Sequence, residues 1–258
     1  MSLVISTSSE ILKTKRTASF RLSIIGASFL PVLLFIVYVF KADTLVRELG
    51  DKPWESHLSI GFEILNSFIF PMYIILICSL IPQIEYKNNT WKQVYASPQT
   101  IGTIYFSKFL TVHLMIFLFF VLFSSLMILA GVGVNSINAD YHFFETSIDW
   151  AMLIKMIIKT YISILGISAI QFWMSLRFKN GILPVSFGLA LLVGSTIATN
   201  FGWKHISKIP YAHPRLTLQY LEQPNRSFLE NHEINSIICF ILFVLIGLLD
   251  LRFRKEKG

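Results

Sequence analysis

The sequence predicts an all-α integral membrane protein, a single transmembrane domain over residues 1–258 with six transmembrane helices and a cytoplasmic N-terminal interfacial helix. Three observations lead there. Of the 258 residues, 54% are apolar and 14% charged, against about a quarter charged in a soluble domain. The apolar residues, 23 Phe among them, fall in runs too long and continuous for one soluble core. Lys and Arg gather in the segments that alternating crossings place on one side. The net charge of +7 therefore reads as topology, not as nucleic-acid binding. Cys78 and Cys239 both lie inside apolar runs and read as small hydrophobes, silent about redox compartment.

Residues 1–21 hold Lys13, Lys15, Arg16 and Arg21 against one acid, Glu10, with Ile5, Ile11 and Leu12 as a partial apolar face. This is the pattern of a helix lying on a membrane surface. The first crossing, 22–40, carries no charge and is long enough to span at about 1.5 Å per residue; it contains Pro31 and is not followed by a small-x-small cleavage site. A polar segment, Lys41 to Gly61, balances acids and bases and suits the outer side. The second crossing, 64–84, contains Pro71 and Pro82 and has Glu63 at its outer edge. The third, about 105–130, has an apolar run from Phe109 that is interrupted only by His113. In the stretch from Trp150, Lys155 and Lys159 share a helix face, and a central lysine in lipid costs roughly 2.5 to 3.5 kcal/mol. Residues 149–159 are therefore expected to form an outer interfacial helix, leaving 160–176 as a short fourth span. A turn at Arg177 to Gly181 precedes the fifth crossing, 182–202. The outer segment Trp203 to Glu233 contains Pro210, Pro214 and Pro224, and the sixth crossing, 234–250, leads to Arg252, Arg254, Lys255 and Lys257. On this layout the inside segments hold thirteen of the 22 Lys and Arg and four of the 15 acids. The positive-inside rule then places both termini in the cytoplasm.

Between the second and third crossings lies a polar, basic island, Glu85 to Thr100. Thr90 with Gln93 three residues on is a capping-box pattern, so a short helix is expected from Trp91, with Trp91, Val94 and Tyr95 on one face and Lys92 and Gln93 on the other. Pro98 disfavours helix at Ser97, which is expected to cap a second helix with Pro98 at its first position. An interfacial loop with Trp and Tyr at headgroup level would have the same composition.

Motifs for chemistry are absent. The sequence has no phosphate-binding Gly-x-x-x-x-Gly-Lys-Ser/Thr loop, no His-Glu-x-x-His and no Gly-x-Ser-x-Gly. No catalytic residue, metal site or cofactor is assigned. Asp140, His142 and Glu145 form a local group of hard ligands on an outer loop, at a spacing that suits a solvated turn better than a metal site. His113 and Glu63 are the ionisable residues in or beside apolar runs that could line a pathway.

The run Glu85-Tyr86-Lys87-Asn88-Asn89-Thr90-Trp91-Lys92-Gln93, then Ser97-Pro98 and Tyr105-Phe106-Ser107-Lys108-Phe109, resembles the permease subunits of type-2 ABC exporters. Within them it looks most like the lantibiotic (bacteriocin) immunity group. The resemblance implies that Glu85 to Ala96 is a coupling helix docking into a separate cytoplasmic ABC ATPase, which binds the ATP. The coupling set it implies is Glu85, Asn89, Trp91, Lys92, Tyr95, Ser97 and Pro98, with Glu85 as a charged contact, Trp91 as the anchor and Lys92 at the rim. It further implies a second permease, as a homodimer or a sister subunit, and a multi-pass protein of the bacterial inner membrane. The cargo expected is hydrophobic or amphipathic, such as an antimicrobial peptide, lipid or drug. An intramembrane enzyme using His113 with Glu85 or Glu63, and an assembly or sensor protein that moves nothing, are the alternatives.

Overall fold

The computed structural model describes residues 2–221 and 229–253; Pro224 and the basic residues Arg254, Lys255 and Lys257 lie outside the described residues. Every regular element among them is helical: α1 (Leu3–Thr14), α2 (Ala18–Phe40), α3 (Ala42–Leu49), α4 (Pro53–Ile64), α5 (Phe70–Lys87), α6 (Trp91–Ala96), α7 (Ile101–Ile137), α8 (Trp150–Arg177), α9 (Ile182–Asn200), α10 (His213–Leu221) and α11 (Asn231–Phe253). Among the described residues, six rods are long and apolar enough to cross a membrane: α2, the continuous Pro53–Lys87, α7, α8, α9 and α11.

The second rod starts earlier than its apolar run. Residues 42–49 and 53–64 are helical because the segment that reads as a balanced polar loop is amphipathic. On α4 it buries Trp54, His57, Leu58, Gly61 and Phe62 on one side. His57 bridges Tyr38 Oη at 3.0 Å and the Met127 carbonyl at 3.0 Å, and so ties α4 to α2 and α7. Glu63 consequently sits within a rod and is exposed there, not at the mouth of a loop. Between α4 and α5 the backbone widens into one π-helical turn, Leu65–Ile69. Pro71 follows two residues later and cannot donate to the carbonyl of Ser67, while its ring crowds that turn; a local π turn absorbs the misfit without ending the rod.

The fourth crossing departs from expectation. No break occurs at Thr160, and α8 runs unbroken from Trp150 to Arg177. Lys159 does not snorkel: its Nζ lies 2.6 Å from Glu233 Oε2 of α11, and the Glu233 side chain is 1% exposed. A lysine paired this way carries no bare charge, which offsets the cost that argued for an interfacial helix. Lys155, one turn earlier, is exposed.

The core joins the rods in pairs, with α8 against α11 and α2 against α7 as the broadest contacts, and α5 wedged against both α8 and α9. Aromatic rings fill the centre: Phe70 packs on Phe119 and Phe120 at 5.2 and 4.8 Å, and Phe62 meets Phe123 edge-on at 5.4 Å. The Phe-rich stretch of α7 therefore divides, with Phe119, Phe120 and Phe123 inward and Phe117 outward. Large apolar residues on the outer faces of α2, α9 and α11 remain exposed, among them Phe29, Phe187 and Ile241, as lipid-facing surfaces must.

Candidate functional site

The polar island folds as a tight connector between α5 and α7. α5 ends at Lys87 with Asn88 as its cap, and Asn89 adopts a φ of 53°, a left-handed conformation that asparagine tolerates better than most residues. The Thr90 N–H then donates to the Glu85 carbonyl at 3.0 Å, reversing the chain. α6 begins at Trp91 as the sequence predicts, but not through a capping box. Thr90 has φ −94° and ψ 0°, not the extended backbone an N-cap requires, and its side chain makes no cap bond. Ser97 is also reassigned: its hydroxyl donates to the Val94 carbonyl at 2.6 Å and closes α6. Thr100, three residues later, caps α7 by accepting from the Thr103 N–H at 3.2 Å. Pro98 lies exposed in the extended link between the two.

Behind α6 four charges meet. Lys108 Nζ, on α7, contacts Glu85 Oε1 of α5 at 2.6 Å and Glu10 Oε2 of α1 at 2.8 Å. Lys13 Nζ closes the ring, 2.6 Å from Glu10 Oε1 and 3.0 Å from Glu85 Oε1. The side chains of Lys108 and Glu85 are each 1% exposed. Burial acts to raise the Glu10 carboxyl pKa, but the Lys108 ammonium, followed by Lys13, outweighs it and holds the group below the usual carboxylate value. For Lys13, burial acts to lower the pKa, and the hydrogen bond and charge of Glu10 with those of Glu85 raise it above the ordinary lysine value.

α6 is fixed on this cluster by aromatic packing. Trp91 is buried, 5.2 Å from the Tyr86 ring and 5.5 Å from the Tyr95 ring, with Lys108 Nζ 5.5 Å above its face. Tyr86 Oη donates to the Leu176 carbonyl at 2.6 Å, which ties the connector to the end of α8. Ser6 Oγ donates to Gln99 Oε1 at 2.9 Å and ties it to α1. A cleft of about 440 Å³ opens between α1 and the connector, lined by Ser9, Glu10, Glu85, Asn88 and Gln93. Glu85 Oε2 and Trp91 Nε1 are buried without a hydrogen-bond partner among the described residues.

The expected coupling residues thus divide by direction. Asn89, Lys92 and Pro98 are exposed, and Tyr95 and Ser97 are half-buried. Glu85 and Trp91 point inward, which corrects their expected roles: neither side chain is free to make a charged or anchoring contact with another protein while the connector keeps this conformation. Glu10, Lys13 and Lys108 complete the site and were not among the expected coupling or pathway residues. Their signal is faint but present: Glu10 is the lone acid in a basic segment, and Lys108 a lone cation at the head of an apolar run.

The remaining candidates are separate from this cluster. His113 is enclosed by aromatic rings, with Phe109 and Phe240 at 4.5 and 6.2 Å, and its Nδ1 lies 2.9 Å from Tyr161 Oη. Its hydrogen-bond partner is Tyr161, while Glu85 is held by Lys13 and Lys108, so the His113–Glu85 pair of the enzyme alternative is not formed. Glu63 is exposed on α4, and its carbonyl accepts from Ser67 Oγ at 2.7 Å. His142 Nδ1 and Glu145 Oε1 pair at 2.9 Å in an exposed turn.

Residues 7–195, which run from α1 through most of α9 and contain the four charged residues of the cluster and all of α6, match the family model described as ABC-2 family transporter protein. The chain belongs to the ABC-2 transporter family. No curated protein and no solved structure matches it significantly. An ABC-2 member is the permease subunit of an ABC transporter, a multi-pass membrane protein, and the family implies an ATPase subunit as partner.

Proposed function

We propose that this permease is the membrane subunit of an exporter and that α6 is the lever on which the separate cytoplasmic ATPase acts. The observation that carries this is the charge cluster of Glu10, Lys13, Glu85 and Lys108, which welds α1, α5 and α7 together where the connector joins them, with Lys108 Nζ also lying over the Trp91 ring of α6. A lever must be stiff where it joins the load and accessible where it is pushed. Here Trp91 and Glu85 face the bundle, and Lys92, Gln93, Asn89 and Lys87 face out. A push on the exposed side would then rock α5 and α7 as rods, in the manner of a shear or hinge closure. Both termini and α6 lie on the cytoplasmic side of the bacterial inner membrane in this reading. A second permease, identical or a sister, faces the outward apolar surfaces and completes the path. The cargo is a hydrophobic or amphipathic molecule, an antimicrobial peptide being the member of that class the resemblance favours.

The test is the surface pair Lys92→Glu with Gln93→Ala, placed on exposed side chains of α6. The variant is expected to insert and melt like the parent but to lose ATPase copurification and stimulated hydrolysis by about tenfold, the size of one well-placed interface contact. Full binding and full hydrolysis in the variant would show that α6 is not the docking face.

A further inference from the structure

α1 is inside out when compared with a helix on a water-soluble protein. It buries Ser6, Thr7, Glu10 and Thr14, all polar, against the bundle. It turns Val4, Ile5 and Leu12 outward, at 73%, 54% and 63% exposure. A surface helix in water carries its apolar stripe on the opposite side. Following these residues, at the end of α1 and the start of α2, Lys15, Arg16 and Arg21 are exposed and take part in no ion pair among the described residues. Glu10, the one acid in this stretch, is spent internally on Lys108. The outward surface therefore combines an apolar stripe with a cationic collar and no anion. It runs on into the exposed Ile24, Ile25 and Phe29 of α2, the first crossing.

We propose that this face of α1, with the first turns of α2, is a binding surface for acidic phospholipids. Val4, Ile5 and Leu12 enter the upper acyl region, and Lys15, Arg16 and Arg21 pair with anionic headgroups. Charge complementarity chooses the occupant. A zwitterionic headgroup brings its own cation and leaves the collar uncompensated, whereas phosphatidylglycerol or a similar lipid supplies the missing negative charge. Continuity with the apolar surface of α2 places the collar where headgroups lie against a spanning helix. The surface stands apart from the lever: it needs neither the ATPase nor α6.

The full-length chain, stripped of lipid in detergent, would be titrated with phosphatidylglycerol or with phosphatidylcholine and read by native mass spectrometry. Each basic residue near an acidic headgroup contributes about fivefold in affinity, so the parent is expected to hold phosphatidylglycerol at least tenfold more tightly, with the difference shrinking as salt rises. The K15Q/R16Q/R21Q variant should lose the preference, K15R/R16K/R21K should keep it, and inorganic phosphate should not displace the lipid. A second reading needs no change of charge: a bimane on Ser8→Cys, in a chain with Cys78 and Cys239 replaced by alanine, should be quenched by brominated phosphatidylglycerol in vesicles. Equal retention of both lipids by the parent, full preference in the neutral variant, or displacement by free phosphate would overturn the proposal. So would an unquenched probe, which would put water or another protein over α1.

Discussion

Lys108 holds a single buried charge against two carboxylates, and its loss leaves Glu10 and Glu85 facing each other without it. Removing one partner of a buried ion pair costs about 3 to 5 kcal/mol, so Lys108→Met should lower the thermal unfolding midpoint markedly. A variant that also carries Glu85→Gln should recover part of the loss, since a neutral pair needs no counter-charge. Glu10 gives the cluster a pH dependence. Its folded pKa is depressed below the ordinary carboxylate value of 4.5, so it contributes stability that is complete above the unfolded value and is lost as pH falls through the folded one. Lys13, with its pKa raised from 10.5, behaves oppositely: its contribution is complete below 10.5 and is lost as pH climbs through the higher folded value. Protection of the α1 amides, after correction for the intrinsic pH dependence of exchange, should therefore be flat near neutral pH and fall as pH drops below about 4.5. A Glu10→Gln chain should lack that acid limb. At this scale the sequence marks the right neighbourhood but not the direction of its side chains. Glu85 and Trp91 stand out in a polar island, yet what turns them inward is Lys108 on the next helix and Lys13 in α1, and a pairing across that separation leaves no local pattern.

Among the elements, α6 shows how far local rules reach. Its start at Trp91 is legible because an apolar face of Trp91, Val94 and Tyr95 repeats at helical spacing. The cap is not, because the turn at Asn88 and Asn89 brings Thr90 in with the wrong backbone geometry. Trp91→Ala tests the element as a unit. The truncation removes a ring that packs on Tyr86, Tyr95 and Lys108, and large-to-small changes at such sites cost about 3 to 5 kcal/mol. The bundle should stay inserted, while α6 loses protection in hydrogen exchange and ATPase stimulation falls with it. Retained protection at α6 would mean that the ring does not hold the connector. α8 gives the converse lesson: its two lysines argue locally for a surface helix, and the counter-ion that keeps it a single rod, Glu233, lies in the last helix.

For the whole molecule, the six rods are readable from composition and run length alone, because hydrocarbon demands long apolar segments with every backbone group satisfied inside them. What composition does not fix is where each rod begins. Pro53–Lys87 and α7, at 35 and 37 residues, extend to roughly 50 Å or more, well beyond the hydrocarbon thickness of about 30 Å. Their polar ends carry α3 and the Trp54 contacts at one end and the charge cluster at the other. Two long rods joined by a six-residue helix make a stiff frame, and the account rests on an ATPase moving that frame from the connector. A mild-detergent pull-down of the tagged wild-type chain from its host, with ATP hydrolysis assayed on the eluate, tests this most directly. The account predicts an ABC ATPase recovered in amounts equal to the permease and active in hydrolysis. A chain that elutes alone and hydrolyses nothing would contradict it.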